Sequence, residues 1–384
     1  MPSVGHICKH PKRFHAVTRP NMANSTNPSL PAFLVQSKSD IHAKFVDLEW
    51  QQRQRLLLGS QHAPTSTSPA SSSEEHPFSR LSSPEVTARN RYLNVEPFAA
   101  NRVKLRDLPA GVSDYINASP ITLGKRRYIA TQGPKDINLN HFWRMLWQEV
   151  ASPAVVVMLT QTHESGKEKC FQYYPLDPAE SPMRIPTEET AADNSGGSGF
   201  EGSIELVGDV NDDLSSRSQV RKLRLHAQTS SSQPSTTKEV HHLLFSGWPD
   251  FLVPEGEDRI ALLQLVQLSA RLNRAPSSNT ANSSTSPASV AADFAATDQD
   301  NPRIVHCSAG VGRSGTFIAL DYLLSLLHSG QLDAVEPSRD LIAETVDELR
   351  KQRMMMVQGE GQFMFLYEVL GEAWLARAAA GGGA

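Results

Sequence analysis

The 384-residue chain predicts one α/β (α+β) domain, with a highly twisted, mixed central β-sheet flanked by helices. Three observations carry this. Strand-like segments cluster in the middle of the chain, and helical ones flank them. The run PAVVVMLT, 153–160, is continuous and rich in β-branched residues, the pattern of a strand buried on both faces. The stretch VHCSAGVGRSGTF, 305–317, joins a short apolar strand to a helix through a glycine-rich loop.

The elements follow in order. Residues 1–38 are polar and rich in Pro, Ser and Asn, and are expected to be disordered. Residues 40–58 read as an amphipathic helix stopped by Gly59, followed by a linker-like tract. YINAS and RRYIATQG read as two strands turned at Gly124, and NLNHFWRMLWQEV as a helix. After the buried strand, KEKCFQYYP, 167–175, is a further strand candidate. SQVRKLRLHA and KEVHHLLF are strands. DRIALLQLVQLSARLN, SRDLIAETVDELRKQR and GQFMFLYEVLGEAWLARA are helices. The domain is expected to span 39–377, with low-complexity surface insertions near 183–203, 227–237 and 275–300, and a flexible tail at 378–384.

Formal net charge is −4, which does not advertise nucleic-acid or anionic-membrane binding. Cys8, Cys170 and Cys307 are far apart and odd in number, against a disulfide framework and for a reducing compartment. No apolar run approaches the roughly 20 residues of a membrane span. The N-terminus carries Lys9, Lys12, Arg13 and Arg19 and no acid before Asp40, yet shows no amphipathic stripe of a targeting helix. A monomer of the cytoplasm, with the nucleus as a further location, is the expectation. Adjacent His241 and His242 would point to opposite faces of a strand, so no metal site is expected, and no cofactor.

Within 305–317 lies Gly310-Val311-Gly312-Arg313-Ser314-Gly315, a literal G-x-G-x-x-G. As a dinucleotide turn it needs a second strand and an acid about 20 residues on. Asp333 and Glu336 fall in range, but a turn and another helix follow Leu327, so the βαβ unit does not close. As a nucleophile loop it uses more of its residues. Cys307 stands at the mouth, where a helix dipole and converging N–H groups favour negative charge. Arg313 offers a planar fork for two phosphate oxygens. Ser314 can donate a hydrogen bond to the thiolate sulfur, and the glycines let the backbone curl around a phosphate.

HCSAGVGRSGTF also matches H-C-x-A-G-x-x-R-S-G-T. The match resembles the signature of the classical, phosphotyrosine-specific, non-receptor protein tyrosine phosphatases. The resemblance runs from about Asp40 to Trp374 around the three insertions. It implies a hydrolase that dephosphorylates phosphotyrosine in proteins through a phosphocysteine intermediate, in signal transduction. Cys307 would be the nucleophile, and Ser308, Ala309, Gly310, Val311, Gly312 and Arg313 the phosphate cradle. His306 would orient the loop through backbone hydrogen bonds.

Other segments resemble the family's remaining motifs. GWPDFLVP resembles its mobile acid loop, which makes Asp250 the general acid and then base. Leu252 departs from the family's usual Gly and puts loop closure in question. ARNRYLNVEPFAANRVKL resembles the phosphotyrosine-recognition segment. Tyr92 and Phe251 would then flank the substrate ring, and Asn94 would contact the peptide backbone. In THESGKEKCFQYYP, Glu164 would hold Arg313 and Lys169 would meet the acid loop. VQGEGQFMF supplies Gln358 to place the hydrolytic water, with Gln362 second. Met355 would hinder a secondary pocket. Arg350 and Arg353 could draw acidic substrate flanks; the basic stretch Lys9–Phe14 reads first as a solvated tail, with docking of a kinase substrate as the lesser alternative. Two alternatives stand beside this reading. A phosphotyrosine-binding module would show a damaged Cys, Arg or acid, and all three are present. A dual-specificity phosphatase would lack the Tyr92 segment, which is present too.

Overall fold

The computed structural model describes residues 30–61, 76–187, 200–228, 236–250, 252–274 and 299–381. After a 3-10 turn at Ala32–Leu34 come α1 (Lys38–Gln61) and α2 (Pro84–Arg89). The middle of the chain holds β1 (Ala118–Leu123), β2 (Arg126–Thr131), α3 (Leu139–Glu149), β3 (Ala154–Met158), β4 (His163–Glu164) and β5 (Lys167–Glu168). Then follow β6 (Met183–Arg184), β7 (Glu201–Leu206), β8 (Asn211–Asp213), β9 (Ser218–Gln228) and β10 (Thr236–Phe245). The chain continues with α4 (Gly256–Leu272), β11 (Gln299–His306), α5 (Gly312–His328), α6 (Leu341–Gln352) and α7 (Glu360–Gly381).

The sheet is mixed, in the order β1-β2-β11-β3-β10-β9-β7-β6, with β8 on β9. β11 runs parallel to both β2 and β3, so Val305 sits between Ala130 and Val157. β3 shows why its run reads as continuously apolar. Val155 and Val157 enter the core that α4, α5 and α7 cover, while Ala154, Val156 and Met158 enter the second core against α3. A strand fed into two cores has no polar face to present. Gly124, at φ 56, makes the β1–β2 turn as expected.

Several expected boundaries move. Residues 30–38 are ordered: Phe33 is 4% exposed in the main core, and Gln36 donates to Asp340 at 2.9 Å. The remaining 1–29, including the basic stretch Lys9–Phe14, lie outside the described residues. Gly59 does not stop α1, which runs to Gln61. A Cβ there would fall 1.9 Å from the Phe78 carbonyl oxygen, so the glycine permits a close crossing of the returning chain. Of KEKCFQYYP, only Lys167–Glu168 is strand. Beyond it Tyr173 and Tyr174 turn into the second core, with the Trp143 indole donating to the Tyr173 carbonyl at 3.0 Å. The supposed insertion 183–203 contains β6 and the start of β7, which pair antiparallel and extend the sheet; 188–199 lie outside the described residues. At 227–237 and 275–300 the flanks likewise belong to β9, β10 and β11. Residues 378–381 continue α7, because alanines propagate a helix without side-chain cost.

Candidate active site

β11 delivers Cys307 from the middle of the sheet, and α5 begins at Gly312, inside the glycine-rich loop. Arg313 and Ser314 therefore occupy the first helical turn, whose free N–H groups point back toward the loop. Gly310 closes the turn at φ +72, and a Cβ there would meet the Thr131 carbonyl oxygen at 2.1 Å. Its N–H donates to Cys307 Sγ at 3.3 Å, and Cys307 is 5% exposed.

The arginine fork is held from the β4–β5 hairpin. Arg313 Nη1 donates to Glu164 Oε1 at 2.6 Å and Nη2 to Glu164 Oε2 at 2.9 Å, a bidentate pair that fixes the guanidinium plane. The Leu159 carbonyl accepts a third bond at 3.0 Å. Burial disfavours the Arg313 charge, but the Glu164 hydrogen bond and the charges of Cys307, Glu164 and Asp250 outweigh it and raise its pKa. Asp250 spans two cations: Oδ1 accepts from Arg313 Nη2 at 3.1 Å and Oδ2 from Lys169 Nζ at 2.7 Å. The acid loop is tied by the Trp248 indole, which donates to the Leu252 carbonyl at 3.0 Å; the Leu252 side chain is exposed.

These groups share one cleft of about 230 Å³. Tyr92, Asn94 and Val95 line it with Lys169, Asp250, Cys307, Ser308, Ala309, Gly312 and Arg313, and Gln358 and Gln362 complete the lining. The Tyr92 hydroxyl and Ser308 Oγ are 2.8 Å apart, and Ser308 Oγ donates to the Lys169 carbonyl at 3.0 Å. His306, Glu164, Gly310, Val311 and Ser314 stand behind the lining. Phe251 falls outside the described residues.

Two expectations are corrected. Arg350 and Arg353 cannot draw substrate flanks, because both are fully buried. Arg350 donates to the carbonyls of Met356 and Val357, each at 3.0 Å. Arg353 donates to the carbonyls of Gly310 at 2.9 Å and Ala309 at 3.1 Å, and to Asn117 Oδ1 at 2.8 Å. The Ser314 hydroxyl is buried with no hydrogen-bond partner among the described residues, so the sulfur's donor here is the Gly310 amide. Arg91 was missed. Its guanidinium donates to the carbonyls of Gly133 and Pro134 and pairs with Glu168 at 3.0 Å, which fixes the segment bearing Tyr92. Nothing in the local pattern separates Arg91, Arg350 or Arg353 from solvated arginines, since their acceptors come from segments remote in sequence or from irregular backbone.

His306 is fully buried, with Nε2 2.7 Å from the Tyr173 hydroxyl, which also lies 2.8 Å from His242 Nε2. Nδ1 lies 3.1 Å from the Cys307 carbonyl. Burial pushes the His306 pKa down to about 4, against the Cys307 bond that raises it and with the Arg91 charge assisting. Burial also pushes His242 well down. The unfolded chain therefore binds protons that the folded chain refuses. Stability is full above about pH 6.5 and falls as pH drops toward 4, by about 3 kcal/mol from His306 alone. Urea midpoints measured from pH 7.5 to 4 will show this decline, with a shallower acid limb in His306→Asn. Parallel limbs would assign the decline to other groups.

The chain matches the family model for protein-tyrosine phosphatases over residues 86–372. It is 32% identical over 361 residues to Tyrosine-protein phosphatase 1 of Saccharomyces cerevisiae, covering 88% of this chain and 95% of the yeast protein. It is 33% identical over 295 residues to Tyrosine-protein phosphatase 2 of Schizosaccharomyces pombe, covering 75% of this chain but only 34% of that protein. The crystal structure of the catalytic domain of human protein tyrosine phosphatase non-receptor type 18 superimposes with a TM-score of 0.62 and 26% identity, covering 89% of this chain and 99% of that one. With the mixed sheet, the loop between β11 and α5 and these likenesses in agreement, the chain belongs to the protein-tyrosine phosphatase family.

Proposed function

We propose that this chain hydrolyses phosphotyrosine in proteins through a phosphocysteine intermediate. The observation that carries the reading is the convergence on one cleft of Cys307, the Glu164-clamped fork of Arg313, and Asp250 at 3.1 Å from that fork. The Cys307 thiolate attacks phosphorus in line, forming an S–P bond as the bond to the tyrosyl oxygen breaks. Asp250 protonates the leaving phenolate. Arg313 and the N–H groups of the loop stabilise the equatorial oxygens electrostatically. In the second step a water placed by Gln358, with Gln362 beside it, attacks phosphorus. Its proton passes to Asp250, and Cys307 leaves as the thiolate.

The substrate class rests on Tyr92 and Asn94 beside the cleft, which suit a flat ring and a peptide backbone. Structures of PTPN18 in complex with HER2 phospho-peptides support the same class by family likeness. Kinases as substrates, a monomeric state and a cytoplasmic or nuclear location belong to this reading too. No helix among the described residues is long and apolar enough to cross a membrane. The test compares two peptides of one sequence that differ only in phosphotyrosine or phosphothreonine. A preference for phosphotyrosine of at least about 100-fold in kcat/KM is expected, since the shorter side chain leaves phosphorus out of reach of Cys307. Equal rates would favour dual specificity, and tight binding without phosphate release would favour a binding module.

A further inference from the structure

Helix α1 lies wholly outside residues 86–372, yet it touches the turn that carries Gln358. Gln52, on α1 and 6% exposed, accepts the Met355 N–H at Oε1 across 2.6 Å. Glu49, one turn earlier, pairs with Arg350 at 2.9 Å. That guanidinium in turn donates to the carbonyls of Met356 and Val357. Three consecutive residues are thus held by α1, directly or through one arginine. The turn needs holding. Met355 and Val357 stand at φ +60 and +57, a region that side chains avoid and β-branched ones most of all. The Val357 N–H then reaches the Val311 carbonyl at 3.2 Å, and the next residue, Gln358, lines the cleft. The helix is itself anchored by ion pairs of Lys44 with Asp340 and of Arg55 with Asp347. None of these contacts reaches Cys307, Arg313 or Asp250.

We propose that α1 is a positioning element for the glutamine turn: through Gln52 and the Glu49–Arg350 pair it governs hydrolysis of the phosphocysteine and leaves its formation untouched. This rests on the proposed mechanism, in which the water placed by Gln358 forms the new O–P bond as the S–P bond breaks. The helix acts only through the backbone it holds, since neither Gln52 nor Glu49 lines the cleft.

The experiment is rapid mixing of the full chain with p-nitrophenyl phosphate, comparing the native protein with Gln52→Ala, Gln52→Glu and Glu49→Gln. Gln52→Ala will release close to one equivalent of p-nitrophenolate per enzyme in a burst as fast as the native first turnover. It will then turn over about tenfold more slowly. Because kcat/KM reports only steps through phosphocysteine formation, kcat and KM will fall together and kcat/KM will hold. Gln52→Glu keeps an acceptor oxygen and will restore kcat. Glu49→Gln, nearly isosteric, will lower kcat in the same manner and guards against a variant that fails to fold. The proposal is overturned if kcat is native in both Gln52→Ala and Glu49→Gln, or if kcat/KM falls as far as kcat. A native protein with no turnover at all would overturn the proposed function instead.

Discussion

Cys307→Ser will leave the fold intact and reduce p-nitrophenyl phosphate turnover by at least about 10⁴-fold, as loss of a nucleophile does. The exchange is nearly isosteric at a site 5% exposed, so packing gives no reason for loss. What changes is the attacking atom. A thiol loses its proton far more readily than an alcohol, whereas a serine hydroxyl needs a base beside it. No such base stands ready for the first step: Asp250 must enter it as the acid, Glu164 is taken by Arg313, and the buried His306 imidazole faces Tyr173. Phosphate recognition does not depend on the sulfur, so the variant will still bind a phosphotyrosine peptide within a few-fold of native affinity. Paired measurement of turnover and of peptide binding by calorimetry checks both halves. Turnover retained within tenfold would remove Cys307 from the mechanism.

Arg313→Lys will lower kcat by about 10³-fold while keeping the charge. A lysine is a point charge on a flexible stem and cannot make two parallel bonds to Glu164 while offering two more to a phosphate. The native fork commits one edge to Glu164 at 2.6 and 2.9 Å. That commitment fixes its plane before substrate arrives, and preorganisation is what the variant loses. KM is expected to rise less than kcat falls, because the transition state gains more from the fork than the ground state does. Steady-state kinetics on p-nitrophenyl phosphate decide it: a loss below tenfold would show that charge alone suffices. Glu164→Gln, which keeps one acceptor oxygen, should fall between the native protein and Arg313→Lys.

How much of this was legible in the sequence depended on whether a residue's partner was local. The loop at 305–317 declared itself, since its strand, glycines, thiol and guanidinium lie in one short string. β3 declared itself as well, because burial on both faces leaves no polar position. The pairs Glu164–Arg313 and Lys169–Asp250 join residues far apart in sequence; no periodicity reveals them, and they entered only through resemblance to a family. Gly59 misled because the same residue serves as helix stop and as crossing point, and Phe78, which decides between them, arrives from beyond a linker. Arg350 and Arg353 misled for a kindred reason. They end a helix that reads as solvated on that side, and the carbonyls that claim them come from backbone without regular structure. Short strands such as β6 and β8 carry too few residues for any alternation to register.

The buried Arg353 has a consequence for the polarity of the loop itself. In a trans peptide the carbonyl and the amide hydrogen of one unit point in opposite directions. Arg353 draws the oxygens of Ala309 and Gly310 inward, and so it turns outward the hydrogens borne by Gly310 and Val311. The Gly310 hydrogen is already met by Cys307 Sγ. A cation that never meets the solvent thereby presses two peptide planes into register, as a die shapes a coin from behind. The face presented to an arriving anion is the obverse of a bond pattern struck in the interior.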